Sequence, residues 1–317
     1  MNQLMKRLKP FIRWVILGGT LFFLVAAVKA HWQGVAEIRI APTGWALLAI
    51  ALGVTLLAHI CSGWVWGWIL REFSQSVTAS WSVITYLKTN IAKYLPGNVW
   101  HFYSRVSAAN AAGIPFSVSV VSVVMEPLLM AAAALAVALF SLERSQIWIQ
   151  ILVLAGTLAI VHPYGLNRAI ALLSKAKLKK APPSDEGVPI PEPPTELPKL
   201  HRYPWRPLLG EFLFLGLRSI GFVLAIAALQ PISWSQVPLL VSVFSFSWLL
   251  GLVVPGAPGG LGVFEATAIA LLSRHTDDFS TAVIISAVAL YRLISILAEA
   301  GGAGLAWLDE RRSLKSS

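Results

Sequence analysis

Charge and cysteine are what this sequence has least of. Only 13% of its 317 residues are Asp, Glu, Lys or Arg, where a soluble domain carries about 25%. Hydrophobic residues make up 56%. An ordinary water-facing globule is therefore excluded, and a polytopic membrane protein is indicated. The single cysteine, Cys61, rules out an intrachain disulfide and a thiolate metal cluster. A Gly-x-Ser-x-Gly elbow is missing, as are paired histidines and a Lys-Ser/Thr after any glycine-rich loop. These absences leave no call for a metal or cofactor. The net charge of +10 would suggest nucleic acid in a soluble protein. Here the basic residues cluster in a few loops, so topology and anionic lipid headgroups explain them better.

Long apolar runs are what the chain has in plenty. An apolar helix crosses a core of about 30 Å at 1.5 Å per residue, which places spans at 11–28, 44–70, 115–140, 147–161, 207–229 and 279–308. Thirteen tryptophans fit two interfacial belts. Lys6, Arg7, Lys9 and Arg13 precede the first run, and no small-residue cleavage site ends it. It reads as a retained span with a cytoplasmic N-terminus. Residues 163–206 are polar, with seven prolines between Pro182 and Pro198. That composition suits an extended cytoplasmic linker, preceded by a basic amphipathic helix over 166–180 at the inner surface.

Two segments break the pattern. Residues 81–113 are amphipathic and interrupted at Pro96-Gly97. Residues 237–273 are interrupted by Pro255-Gly256-Ala257-Pro258-Gly259-Gly260-Leu261-Gly262. Proline removes a donor and glycine relaxes φ, so a helix cannot run through either place. Broken backbone is tolerated at membrane depth only inside protein or beside a polar cavity. Both segments are read as re-entrant hairpins, the first from the cytoplasmic side and the second from outside. A pair of surface-lying helices stays open for the first.

With six spans and two hairpins, both termini fall in the cytoplasm. Of 25 Lys and Arg, only Lys29, Arg39, Arg144 and Arg274 are outside. Span, span, hairpin, span describes 1–145, and the same order describes 146–317 once the linker is set aside. The expected fold is thus an all-α inverted repeat, the layout of many secondary transporters.

Nine ionisable residues fall in predicted membrane segments: Lys88, Lys93, Arg105, Glu126, Glu211, Arg218, Glu265, Arg292 and Glu299. Each mid-bilayer charge costs at least ~2.5–3.5 kcal/mol, so such residues face a cavity or pair with one another. Arg105, Glu126, Arg218, Glu265, Arg292 and Glu299 are the candidate translocation residues, with arginines suited to a phosphate. The bland alternative is a set of ion pairs that only hold the spans together. Lys88, Lys93 and Glu211 are read as snorkelling to an interface. His59 is read as a packed or hydrogen-bonded residue.

Three stretches carry a resemblance: KYLPGNVWHFYSR (93–105), VVPGAPGGLGVFEA (253–266) and LYRLISILAE (290–299). Together they resemble the lysylphosphatidylglycerol synthase transmembrane-region family, which includes the flippase part of the multiple peptide resistance factor. The resemblance implies an inner-membrane protein that handles lipid, with re-entrant helices around a central cavity. The matching positions are Pro96, Gly97, Arg105, Pro255, Gly256, Gly259, Gly260, Gly262, Glu265 and Arg292. The synthases carry a soluble aminoacyl-transfer domain after the membrane part. This chain ends at Ser317, so aminoacyl transfer is not expected. The expected function is translocation of a phospholipid or lipid-linked anion between leaflets, with membrane lipids as partners and oligomeric state open. The alternatives are a transferase acting on a lipid-linked sugar, for which Asp277-Asp278 is the outer carboxylate pair, and a small-anion transporter.

Overall fold

A computed structural model describes residues 39–94, 99–139, 147–168, 198–254, 260–274 and 279–316. Among these every regular element is a helix. The first predicted span, the tips Pro96-Gly97 and Pro255 to Gly259, the outer Asp277-Asp278 and most of the linker lie outside the described residues. The helices are α1 (Pro42–Glu72), α2 (Ala79–Asn90), α3 (Trp100–Ala111), α4 (Phe116–Ala138), α5 (Ile147–Val161), α6 (Trp205–Ala227), α7 (Val237–Val253), α8 (Val263–Leu272) and α9 (Thr281–Ser316). A single 3-10 turn, Ile91–Tyr94, extends α2.

Four of these helices, α1, α4, α6 and α9, are long and apolar enough to cross a membrane. The protein is a polytopic all-helical membrane protein. Lipid offers no partner for a backbone amide, so an apolar run must close its hydrogen bonds internally, as a helix does. Local signals set the ends. Pro42 opens α1 at a position whose amide needs no partner. The Thr78 hydroxyl accepts from the Trp81 amide at 3.3 Å and caps α2. Observed ends lie within two residues of expectation for α1, α4, α6 and α7. The exception is α9, expected to stop at 308 and observed to run to Ser316. The stretch Leu308-Asp-Glu-Arg-Arg-Ser-Leu-Lys is polar, but it contains no helix breaker. Apolarity ends there while helix propensity does not.

Where the sequence expected arms of about fifteen residues around Pro96-Gly97, α2 and α3 have 12 each. At 1.5 Å per residue that is about 18 Å, short of a crossing. Helices α7 and α8, with 17 and 10 residues, lie side by side. A Cβ placed on Gly260 would come 3.0 Å from the carbonyl oxygen of Gly251. Gly260 itself has φ +69°, where a side chain is strained. Glycine is needed at this point on both counts.

Helices α1 and α6 share the most extensive contact, and the rest pack around them in matched pairs. Helix α2 packs on α1 and on α9, while α7 packs on α6 and on α4. Helix α3 lies against α2 and α4, and α8 against α7 and α9. Both α4 and α9 touch α1 and α6. Exchanging α1 with α6, α2 with α7, α3 with α8 and α4 with α9 carries each of these contacts onto another.

Two apolar cores fill this frame, each drawing on both halves: Leu208 and Phe214 of α6 join the first, and Leu48 and Ala51 of α1 join the second. One is built mainly on α1 and α4 around Trp66, Met125 and Leu129. The other is built mainly on α6 to α9 around Phe222, Phe244, Phe264 and Tyr291, whose ring centroids stand 5.4–6.1 Å apart. Lipid is as apolar as leucine, so close fit rather than water exclusion holds such helices together. Small residues supply that fit. A Cβ on Gly63 would fall 2.7 Å from Val83 Cα, and one on Gly67 would fall 2.6 Å from Ser82 Oγ. Helix α2 thus rests on the Gly63-x-x-x-Gly67 face of α1.

Candidate functional site

The intramembrane charges gather in two groups, each drawing side chains from both halves of the chain. In the first, Arg105 on α3 donates to Glu126 on α4, and both side chains are buried. The guanidinium stands 4.0 Å from the Tyr86 ring centroid and 5.7 Å from Trp66. A guanidinium is weakly hydrated and stacks on rings, which makes it the cation best suited to such a place. Pro127 follows Glu126 inside α4 and removes one backbone donor beside the pair. Glu211 on α6 belongs to this group as well. It is fully buried, so the snorkelling expected of it is wrong. Spacing along α6 could not reveal that its face meets α1.

The second group is larger. Arg292 Nε on α9 donates to Glu265 Oε1 on α8. The other oxygen of Glu265 accepts from the Gly262 amide at 2.5 Å. That contact is half of a capping box, since Gly262 has no side chain to reciprocate. Glu265 therefore fixes the start of α8 and holds Arg292 at once. Two turns along α9, Glu299 Oε1 accepts from Lys93 Nζ at 2.7 Å and lies 3.2 Å from His59 Nε2. The same His59 nitrogen lies 3.1 Å from Arg218 on α6. One ring nitrogen donates to Glu299 or accepts from Arg218, never both together. The Tyr291 hydroxyl donates to the Arg218 carbonyl at 3.2 Å and positions that turn of α6.

All six charged residues expected at the site are in these groups. Arg105 and Glu126 form the first, and Arg218, Glu265, Arg292 and Glu299 fall in the second. Arg292 and Glu299, which share a face of α9, do not pair with each other; each binds a different helix. Of the hairpin-tip residues, Gly260 and Gly262 are described, with φ +69° and +86°. Pro96, Gly97, Pro255, Gly256 and Gly259 lie outside the described residues. Two further residues join the second group. Lys93 does not reach for an interface but binds Glu299 across the bundle. His59 is packed and hydrogen-bonded as expected, yet it also joins Arg218 to Glu299. Lys88 does lie near the surface, 2.5 Å from Glu310.

The second group holds three cations, Lys93, Arg218 and Arg292, against two carboxylates, Glu265 and Glu299. Its most open side chains are Lys93, 20% exposed, and Arg292, 16% exposed. Lys93 directly precedes the first helix break, and Arg292 is held by the residue that follows the second. Unsatisfied polar atoms remain beside them: Arg218 Nε, Glu299 Oε2 and the hydroxyls of Ser295 and Tyr94 have no hydrogen-bond partner among the described residues. Buried polar atoms are rarely left so unless water or a ligand takes them. Among the described residues no cluster of His, Cys, Asp and Glu is arranged to hold a metal ion.

No protein-family model matches the chain, and no curated protein matches it significantly. The site is read from its geometry. A separate cavity of about 370 Å³ lies between α2 and the C-terminal part of α9, lined by Ile84, Leu87, Leu305, Ala306, Leu308 and Asp309. It is largely apolar and away from both charge groups.

Proposed function

We propose that this protein translocates a lipid with an anionic headgroup, a phospholipid or a lipid-linked anion, between the leaflets of a bacterial cytoplasmic membrane. The observation that carries the reading is the second charge group. One positive charge in excess, with unsatisfied polar atoms around it, sits where the two broken segments converge on α9. A phosphate would neutralise that excess, and Arg218 and Arg292 offer it planar donors. Lys93 and Arg292 are the groups a headgroup meets first.

Two further observations support the setting. The matched contacts of α1 to α4 with α6 to α9 are those expected of an inverted repeat, with α2–α3 and α7–α8 as re-entrant hairpins. The packing of α2 into α1 and α9, rather than against a surface, favours re-entrance for the first hairpin. Membership of the lysylphosphatidylglycerol synthase transmembrane-region family, and cytoplasmic termini, belong to the same proposal. No catalytic residue is assigned.

The test is leaflet exchange of labelled phosphatidylglycerol in proteoliposomes. Wild-type protein accelerates it, and Arg218→Gln and Arg292→Gln each reduce the rate about tenfold or more, the equivalent of roughly 1.4 kcal/mol or above. Failure to exchange any anionic, zwitterionic or cationic lipid overturns the reading. Competition by soluble phosphate, with no lipid exchange, assigns the site to a small anion instead.

A further inference from the structure

The first charge group is built differently from the second. Glu211 is fully buried, and neither carboxyl oxygen has a hydrogen-bond partner among the described residues. The other buried glutamates on the described helices, Glu126, Glu265 and Glu299, are each bound to a cation. The ionisable groups that face Glu211 are Glu126 of α4 and Arg105 of α3, with the Cys61 thiol of α1 and the Tyr86 phenol of α2 beside it. Arg105 is the one cation among them, and it is engaged with Glu126. Two buried carboxyl groups thus lie within electrostatic reach of one guanidinium, which is bound to one of them. With both ionised, the group carries a net negative charge buried between the helices, which is costly. One proton restores neutrality. Proton relays are among the functions that intramembrane carboxyls serve.

From this geometry we propose that Glu211 and Glu126 form a one-proton site governed by Arg105. In the arrangement seen, Glu211 carries the proton and Glu126 the guanidinium. When the proton passes from the Glu211 carboxyl to the Glu126 carboxylate, Arg105 exchanges Glu126 for Glu211, and the group stays neutral throughout. The exchange moves the Arg105 side chain away from α4 toward α6, so it links a proton to the position of the first broken segment. The inference goes beyond lipid translocation and does not depend on it.

Infrared spectroscopy of the protein in phosphatidylethanolamine–phosphatidylglycerol vesicles at neutral pH tests it without any substrate. Wild type shows the carbonyl stretch of a protonated carboxyl, lowered in D2O. Glu211→Gln loses it, because Arg105 then satisfies Glu126. Glu126→Gln loses it too, because Arg105 then turns to Glu211. In Arg105→Gln both carboxyls are protonated and the band about doubles. A Glu211→Gln spectrum identical to wild type overturns the site. A band that survives Glu126→Gln but not Glu211→Gln overturns the sharing. If Glu211→Gln does not fold, Glu211→Asp keeps the acid, and its band must move in frequency; an unmoved band overturns the assignment to this residue.

Discussion

At the scale of single residues, the two Arg–Glu pairs invite comparison. Arg105–Glu126 joins α3 to α4, and Glu265–Arg292 joins α8 to α9, with the charges in reversed order along the chain. Both link a broken segment to the following span, and under the exchange of halves each occupies the place of the other. Their energetics differ from those of the exposed Lys88–Glu310 pair. Removing one partner of a buried pair leaves an uncompensated charge and costs about 3–5 kcal/mol, while replacing both with apolar residues costs far less. Arg105→Ala is therefore expected to destabilise strongly, and Arg105→Met with Glu126→Leu to recover most of the loss, measured by thermal unfolding in detergent. Lys88→Ala is expected to change stability by no more than about 1 kcal/mol. The presence of these charges was legible in the sequence, because any ionisable residue in an apolar run stands out. Their partners were not. His59 reads from the sequence as a packed or hydrogen-bonded residue, and a lone histidine on an apolar helix carries no signal of which helix it meets.

At the scale of elements, glycine decides how close two helices come, and the positions are unequal. Gly260 combines positive φ with a 3.0 Å approach to the Gly251 carbonyl, so Gly260→Ala is expected to lose roughly 1–2 kcal/mol from the backbone alone. Gly251→Ala meets only ordinary contacts at 3.7 Å and is expected to be tolerated. The same contrast holds in α1. A Cβ at Gly63 would meet the Val83 backbone at 2.7 Å, while one at Gly53 meets nothing within 4 Å. Gly63→Ala should displace α2 and lower the melting temperature, whereas Gly53→Ala should leave it unchanged or raise it. The helix breaks were readable as Pro-Gly clusters because proline and glycine act locally. The Gly63 and Gly67 contact was not read, since a glycine pair four apart reveals a partner only once that partner is known.

At the scale of the whole molecule, the matched contacts bear on topology. In an inverted repeat the loop closing the first hairpin and the loop opening the second face opposite sides of the membrane. Single cysteines at Gly113 and Trp234, both exposed, are expected to react with a membrane-impermeant maleimide from opposite sides, position 113 from the cytoplasm and 234 from outside. Native Cys61 is buried and gives little background. Labelling of both positions from one side would exclude the repeat. Trp45, Trp148, Tyr164, Trp205, Trp234 and Trp307 are all exposed, as interfacial aromatics are.

By itself the sequence determined where helices run, where they break and that the chain belongs in a bilayer. Those are local matters: hydrocarbon imposes apolarity on each span and closes each span's hydrogen bonds within it. Only the tertiary structure decided which buried charges meet. Lys93 and Glu299 are 206 positions apart, and His59 and Arg218 are 159 apart. Helical periodicity places a residue on a face but does not say what faces it. That depends on how the helices are assembled, and the pairing of their charges is settled by neutrality in a medium that has no other partner to offer.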